Sequence, residues 1–163
     1  MNMIGKMLFA ATIAGVTYNA HAVEVKEKLE IPVSADKVWE VADEFCSIKD
    51  WSPIFSDCTQ FMEYGVHWRI LTIADGGEKV KEKLTDVTDY SYDYAITEAP
   101  LPIANHQGKM WVEKGNSPDQ STLYWHVSFD VNGDAETTEN TTNAIRGILV
   151  ESMKGIKASA IAK

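Results

Sequence analysis

Several residue patterns that would commit the chain to a function are missing. The 163 residues include only two cysteines and 15 basic against 24 acidic side chains, which gives a formal net charge of -9. That balance argues against a nucleic-acid surface, because neutralising phosphates needs clustered Lys and Arg. No G-x-S-x-G, H-E-x-x-H, P-loop or dinucleotide motif is present, so the sequence predicts no nucleophilic, metal, phosphate or nicotinamide site and no cofactor.

Long hydrophobic runs are also missing. The apolar stretch 7–16 falls well short of the roughly 20 residues that a membrane-spanning helix needs, and no later segment comes close. It follows Lys6 and precedes Ala20-His21-Ala22, a pattern typical of a secretory signal peptide. We therefore expect a signal peptide at 1–22, cleaved after Ala22, and one mature domain at 23–163 in the periplasm or outside the cell. The alternative is a buried N-terminal helix.

The two cysteines are Cys46 and Cys58. An even number in an exported protein favours a disulfide, which here would join a helix end to the next strand. Two buried free thiols are the alternative. No His or carboxylate stands at ligand spacing beside either cysteine, so a metal site is not predicted.

Apolar and charged residues alternate from Val23 to Ile31, which predicts a half-buried strand with Glu27 as the one charged residue on its inner face. Ser34 can cap a first helix, and Ser52-Pro53 predicts the start of a second, very short one. Six further strands are predicted at 58–64, 68–73, 79–87, 91–97, 105–113 and 122–131, joined by short turns.

A long helix is predicted at 136–158, where the apolar residues change to helical spacing. Gly147 and Gly155 inside it indicate close packing against the sheet. The order of elements predicts an α+β fold in which an antiparallel sheet curves over one long helix. Such a sheet tends to leave an internal apolar cavity, which points to ligand binding.

Glu82 is predicted to lie on an apolar face, because Lys79, Lys81 and Lys83 alternate outward on its strand. A buried carboxylate must be paired, bound to a ligand or neutral. The sequence leaves two interpretations equally open: Glu82 faces a ligand, or it pairs with Arg69 on the neighbouring strand. For Glu27 we favour a structural position near a strand end.

Two strands present aromatic faces. Tyr92, Tyr94 and Ile96 share one face, and Trp125 belongs to a second. Such faces are more often plain core than ligand contacts, although tyrosine hydroxyls can serve a ligand. His106 follows a proline-containing loop, where a lone histidine is more often structural or solvated than catalytic.

Four stretches can be read together along the mature chain. They are Ser34-Ala35-Asp36-Lys37-Val38-Trp39, Phe45-Cys46 through Trp51-Ser52-Pro53 to Cys58, Asp75-Gly76-Gly77 with Glu82-Lys83-Leu84, and Pro100-Leu101-Pro102-Ile103-Ala104-Asn105. In this order they resemble the START-like superfamily, in particular its polyketide cyclase and dehydrase branch. The resemblance implies a helix-grip fold, in which a seven-stranded antiparallel sheet wraps around a long C-terminal helix, with two short N-terminal helices.

The chain also looks similar to plant abscisic acid receptors, and this likeness implies site residues. The ligand-facing glutamate of those receptors corresponds to Glu82, and their ligand loop to 99–105. Ser52 stands about where they keep a cationic anchor, which argues against a carboxylate-bearing hormone. The predicted ligand-contacting side chains are Trp51, Leu71, Ile73, Glu82, Tyr92, Tyr94, Ile96, His106, Trp125 and Leu149.

The sequence thus predicts an exported protein that binds a small hydrophobic molecule or lipid in an internal cavity. The alternative function is an enzyme of the polyketide cyclase or dehydratase type, with Glu82 as acid or base and His106 or Tyr94 as its partner. A third possibility is an interaction module whose cavity has collapsed. No catalytic residue, ligand or oligomeric state is assigned.

Overall fold

A computed structural model describes residues 22–163, which form one seven-stranded sheet and three helices. The predicted signal peptide lies outside these residues except for its last one, Ala22. The elements are β1 (Ala22–Ile31), α1 (Ala35–Ala42), α2 (Ile48–Trp51), β2 (Phe55–Glu63), β3 (Val66–Ile73), β4 (Lys79–Thr88), β5 (Ser91–Glu98), β6 (Ile103–Lys114), β7 (Ser121–Val131) and α3 (Ala135–Ala162). Every predicted strand is present, with ends that differ by at most a few residues.

The strands are ordered β1-β7-β6-β5-β4-β3-β2, and every neighbouring pair is antiparallel. The first two strands in the chain are therefore the two edges of the sheet, and α1 and α2 span the distance between them. α3 packs on one face of the sheet and also contacts α1 and α2. The predicted α+β helix-grip fold is confirmed.

The first helix begins as predicted. The Ser34 hydroxyl accepts a hydrogen bond of 3.4 Å from the backbone N–H of Lys37, which satisfies one of the free N–H groups of the first turn. Val38 and Trp39 lie on its buried face and pack into the core.

The predicted start of the second helix at Ser52-Pro53 is wrong, because α2 ends there. Ser52 has extended backbone angles (φ -91°, ψ 125°), as expected for a residue that precedes proline. Its hydroxyl is buried and hydrogen-bonded to the hydroxyl of Ser152 on α3 at 2.7 Å.

The two glycines of α3 differ in their surroundings. A Cβ atom on Gly155 would lie 1.7 Å from the carbonyl oxygen of Trp51, whereas one on Gly147 would meet nothing within 4 Å. The close packing inferred for Gly155 is therefore real, but its partner is the end of α2 and not the sheet. For Gly147 the inference is wrong.

Cys46 and Cys58 form a disulfide, with their Cα atoms 5.6 Å apart. Cys46 lies between α1 and α2, and Cys58 lies in β2. The bridge therefore ties the helical segment to an edge strand, as predicted. None of the helices in residues 22–163 is long and apolar enough to cross a membrane.

Candidate functional site

The candidate site is an internal cavity of about 210 Å³ between the sheet and the α2 and α3 helices. Its wall is mostly apolar because the inward faces of several strands and one stripe of α3 meet there. The apolar lining residues are Ile48, Ile54, Phe55, Ile73, Val80, Ile96, Ala99, Pro100, Leu101, Ile103, Trp125, Ile145, Ile148 and Leu149. The cavity is therefore not collapsed.

The largest polar group in the cavity is an ion pair. Arg69 on β3 and Glu82 on β4 are direct cross-strand partners, and both are almost fully buried, with exposed fractions of 0% and 4%. Nε of Arg69 donates a hydrogen bond to Oε2 of Glu82 at 2.6 Å, and Nη2 lies 2.6 Å from the same oxygen. Nη1 donates to the backbone carbonyl of Phe45, whose ring lies 3.9 Å below the guanidinium carbon. The predicted pairing of Glu82 with Arg69 is confirmed, and Glu82 also lines the cavity, so its role toward a ligand stays a prediction.

The two charges of this pair compensate each other. Burial raises the pKa of Glu82, and the guanidinium of Arg69 opposes that rise. Burial acts to lower the pKa of Arg69, but Glu82 together with Tyr92 and Tyr94 gives a net rise of that pKa. Arginine stays protonated in proteins, and a buried unpaired guanidinium would be costly, so the pair is ionised on both sides.

Tyr94 on β5 is fixed by contacts with residues on β6 and β7. Its hydroxyl accepts a hydrogen bond of 2.9 Å from Nε1 of Trp125. Its ring covers Gly108 on β6, where a Cβ atom would come within 2.4 Å of two ring carbons. Burial raises the pKa of Tyr94 well above its usual range, so the hydroxyl keeps its proton and can donate it in a hydrogen bond.

His106 lies on the inner face of β6, at an alternate position in line with Gly108, Met110 and Val112, and an irregularity in the strand lies directly before it. The register between β6 and β7 shifts between Ala104 and Gln107, and Asn105 adopts a positive φ of 53°. His106 is 3% exposed, and its Nδ1 accepts a hydrogen bond of 3.4 Å from the N–H of Ile96. Burial lowers the pKa of His106 to about 4, so the ring is neutral at physiological pH and carries its proton on Nε2.

Most of the predicted ligand-contacting residues line this cavity, but three do not. Those that line it are Ile73, Glu82, Tyr94, Ile96, His106, Trp125 and Leu149. Trp51, Leu71 and Tyr92 are core residues behind the wall. The Trp51 ring packs edge-on against Trp125 at 6.1 Å, and Tyr92 packs against Trp39 on α1 at 6.0 Å.

Two other predicted positions lie away from the site. Glu27 is in the middle of β1, not near a strand end, and its carboxylate accepts a hydrogen bond of 3.1 Å from Arg146 on α3. Ser52, the position that corresponds to the receptors' cationic anchor, is bonded to Ser152 and does not line the cavity.

Sequence reasoning missed several wall residues. Ile145 and Ile148 belong to the apolar stripe of α3, so the helical periodicity already contained a signal for them. Ile48, Ile54 and Phe55 lie around the disulfide-tethered segment, and no periodic pattern marks them.

The model of the polyketide cyclase / dehydrase and lipid transport family matches residues 22–160. No curated protein matches the chain. An uncharacterised protein from Bacillus thuringiensis is 26% identical with a TM-score of 0.76, over 85% of this chain and 99% of that one. The XoxI protein from Bacillus cereus is 25% identical with a TM-score of 0.74, over 85% of this chain and 95% of the other.

A third solved structure shares the fold alone. The Zhui aromatase/cyclase from a Streptomyces species is 12% identical with a TM-score of 0.67, over 87% of this chain and 93% of that one. The family match extends over nearly the whole domain described above, from the first residue of β1 almost to the end of α3. The chain therefore belongs to the polyketide cyclase / dehydrase and lipid transport family.

Proposed function

We propose that this protein is an exported carrier or sensor that binds a small hydrophobic molecule in its internal cavity. The observation that carries the proposal is the cavity itself, which combines an apolar wall with a few convergent polar groups, the usual composition of a ligand site. Its volume of about 210 Å³ lies below the roughly 300–1,000 Å³ of typical ligand pockets, which favours a compact ligand over a long-chain lipid.

An enzyme of the cyclase or dehydratase type is the second candidate. The observation that favours it is that Glu82, Tyr94 and His106 all line one cavity. Acid and base catalysis works best with groups whose pKa lies near the working pH. His106, with a pKa of about 4, is a weak base, and Glu82 is already engaged by Arg69. Binding without turnover is therefore the function that the geometry supports better.

Export is supported by the Cys46–Cys58 disulfide, since disulfides persist mainly in oxidising compartments. Together with the signal-peptide pattern at 1–22, it favours the periplasm or the extracellular space. We expect N-terminal sequencing of protein exported by its native host to begin at Val23. An intact Met1 on protein from the cytoplasm would contradict the proposed location.

The binding proposal is tested by mass spectrometry of small molecules that copurify with the native protein. Ile148 lines the cavity from α3, so Ile148→Trp should fill it, whereas Ile161 is exposed near the end of the same helix and Ile161→Trp should not. We expect one apolar compound to copurify with the parent protein and with Ile161→Trp. The same compound should be absent from Ile148→Trp, provided that this variant is folded. Equal recovery from all three proteins, or conversion of the compound during incubation, would contradict a pure binding role.

A further inference from the structure

Within residues 22–163, the charges that line the cavity leave no uncompensated cation. Among the described residues the charged lining side chains are Arg69, Glu82 and Glu78. Arg69 is bound to Glu82, and Glu78 is an exposed acid at the rim. A carboxylate ligand would therefore enter past an acid and be buried without a positive partner, which is costly. A cationic ligand would have to compete with Arg69 for Glu82, the one buried carboxylate in the part of the chain that the structure describes.

The hydrogen-bonding groups of the cavity are complementary to one uncharged group. Both Arg69 nitrogens that contact Glu82 reach Oε2, and within residues 22–163 Oε1 receives no hydrogen bond. The Tyr94 hydroxyl already accepts from Trp125, so its own proton is free to donate. His106 accepts at Nδ1, which leaves Nε2–H as a second donor beside Tyr94, with the two ring centres 5.4 Å apart.

An acceptor and donors that face the same small space are matched by a group that both donates and accepts. A hydroxyl does so without charge, whereas a carbonyl only accepts and an ammonium only donates. We propose that the cavity selects a neutral hydroxyl-bearing apolar compound, an alcohol or a phenol, which donates to Glu82 and accepts from Tyr94. This inference rests on the proposed binding function and names the ligand class for the same cavity.

The test uses probes that share one compact ring system and differ in one group. Naphthalene, 2-naphthol, 2-naphthoate and 2-naphthylmethylammonium are titrated at pH 7 into protein purified with its disulfide intact, and binding is followed by calorimetry. We expect 2-naphthol to bind at least tenfold more tightly than naphthalene, and both charged probes to bind more weakly than naphthalene.

Tyr94→Phe is the matched variant, because it removes the hydroxyl and keeps the ring over Gly108. We expect the advantage of 2-naphthol over naphthalene to shrink at least fivefold, while naphthalene affinity stays within twofold of the parent. Tyr124→Phe is the control, since that tyrosine stacks on Trp111 away from the cavity, and it should leave all affinities unchanged. Both variants keep the Arg69–Glu82 pair, but Tyr94→Phe leaves the buried Nε1–H of Trp125 without its acceptor, so thermal unfolding is measured first and affinities are compared on folded protein.

Equal affinity for naphthalene and 2-naphthol, tight binding of 2-naphthoate, or an undiminished 2-naphthol advantage in Tyr94→Phe would each overturn the inference and leave the binding function standing. If none of the four probes binds, the proposed binding function is contradicted together with the inference.

Discussion

Gly155 on α3 lies directly against the carbonyl oxygen of Trp51, so closely that a Cβ atom there would come within 1.7 Å of it. One turn earlier, the Ser152 hydroxyl is hydrogen-bonded to Ser52 at 2.7 Å. These two contacts set the position of α3 along the end of α2. They therefore also position Leu149, which lines the cavity from α3.

The first prediction compares the two glycines of α3. Gly155→Ala should destabilise the protein by about 1–3 kcal/mol or more, because α3 must move away from the Trp51 carbonyl. Gly147→Ala should stabilise it by about 0.5–1 kcal/mol, since that site is open and alanine favours a helix. Urea unfolding of both variants measures the difference, and equal effects would contradict the packing described here.

A second prediction concerns the buried ion pair. Glu82→Gln should lower the free energy of unfolding by about 3–5 kcal/mol, because it leaves the Arg69 guanidinium buried without a counter-charge. The double variant Arg69→Met with Glu82→Leu should recover most of that loss. Chemical denaturation gives both values.

The control for this pair is Glu27→Gln, which breaks the more exposed pair with Arg146. Their side chains are 25% and 47% exposed, so the expected loss is at most about 1 kcal/mol. If Glu82→Gln proved no more costly than Glu27→Gln, Arg69 and Glu82 could not be a buried pair.

Reduction of the disulfide should also destabilise the protein. Cys46 and Cys58 are 12 residues apart, and chain-entropy arguments assign about 3 kcal/mol to a loop of this size. We expect a reductant to lower the urea midpoint of the parent protein. The double variant Cys46→Ala with Cys58→Ala should have the same urea midpoint with and without the reductant. Two titratable thiols on unreduced, denatured protein would show that the disulfide does not form.

The last prediction concerns pH. His106 has a pKa of about 4 in the folded protein against 6.5 as its usual value, so the unfolded chain takes up a proton first as the pH falls. Stability should therefore decline between about pH 6.5 and 4, by an amount on the order of 3 kcal/mol from this residue. Above pH 6.5 both states are neutral at this site and no effect is expected.

Comparison with His106→Gln isolates this contribution from that of the carboxylates, which titrate in the same range. The variant should have a shallower fall in unfolding free energy between pH 6.5 and 4 than the parent. His126→Gln serves as the control on the outer part of the sheet and should keep most of the parent's slope, since its pKa is lowered with much less burial. Parallel curves for the parent and His106→Gln would contradict a neutral, buried His106.

Local pattern was enough to determine the strands, the first and last helices and their inner faces, but not the position of α2. Alternation along β4 placed Glu82 inward, Ser34 marked the start of α1, and the apolar stripe of α3 identified the face that meets the sheet. These features depend on periodicity and on hydrogen bonds between residues close in the chain. The order of short motifs then implied the helix-grip fold and a ligand-facing role for Glu82.

Only the tertiary structure decided which inward residues reach the cavity. Periodicity identifies a face but not a depth, so Leu71 and Tyr92 shared faces with Ile73 and Tyr94 and yet lie in the packed core. Alternation along β6 places His106 on the inner face, but its burial between Tyr94 and Phe129 depends on how β5 and β7 pack beside it. The extended backbone of Ser52 follows from Pro53, its neighbour in the sequence. Its hydrogen bond to Ser152 instead depends on where α3 packs. These two residues are 100 positions apart, and a contact between such distant residues leaves no periodic pattern in the sequence.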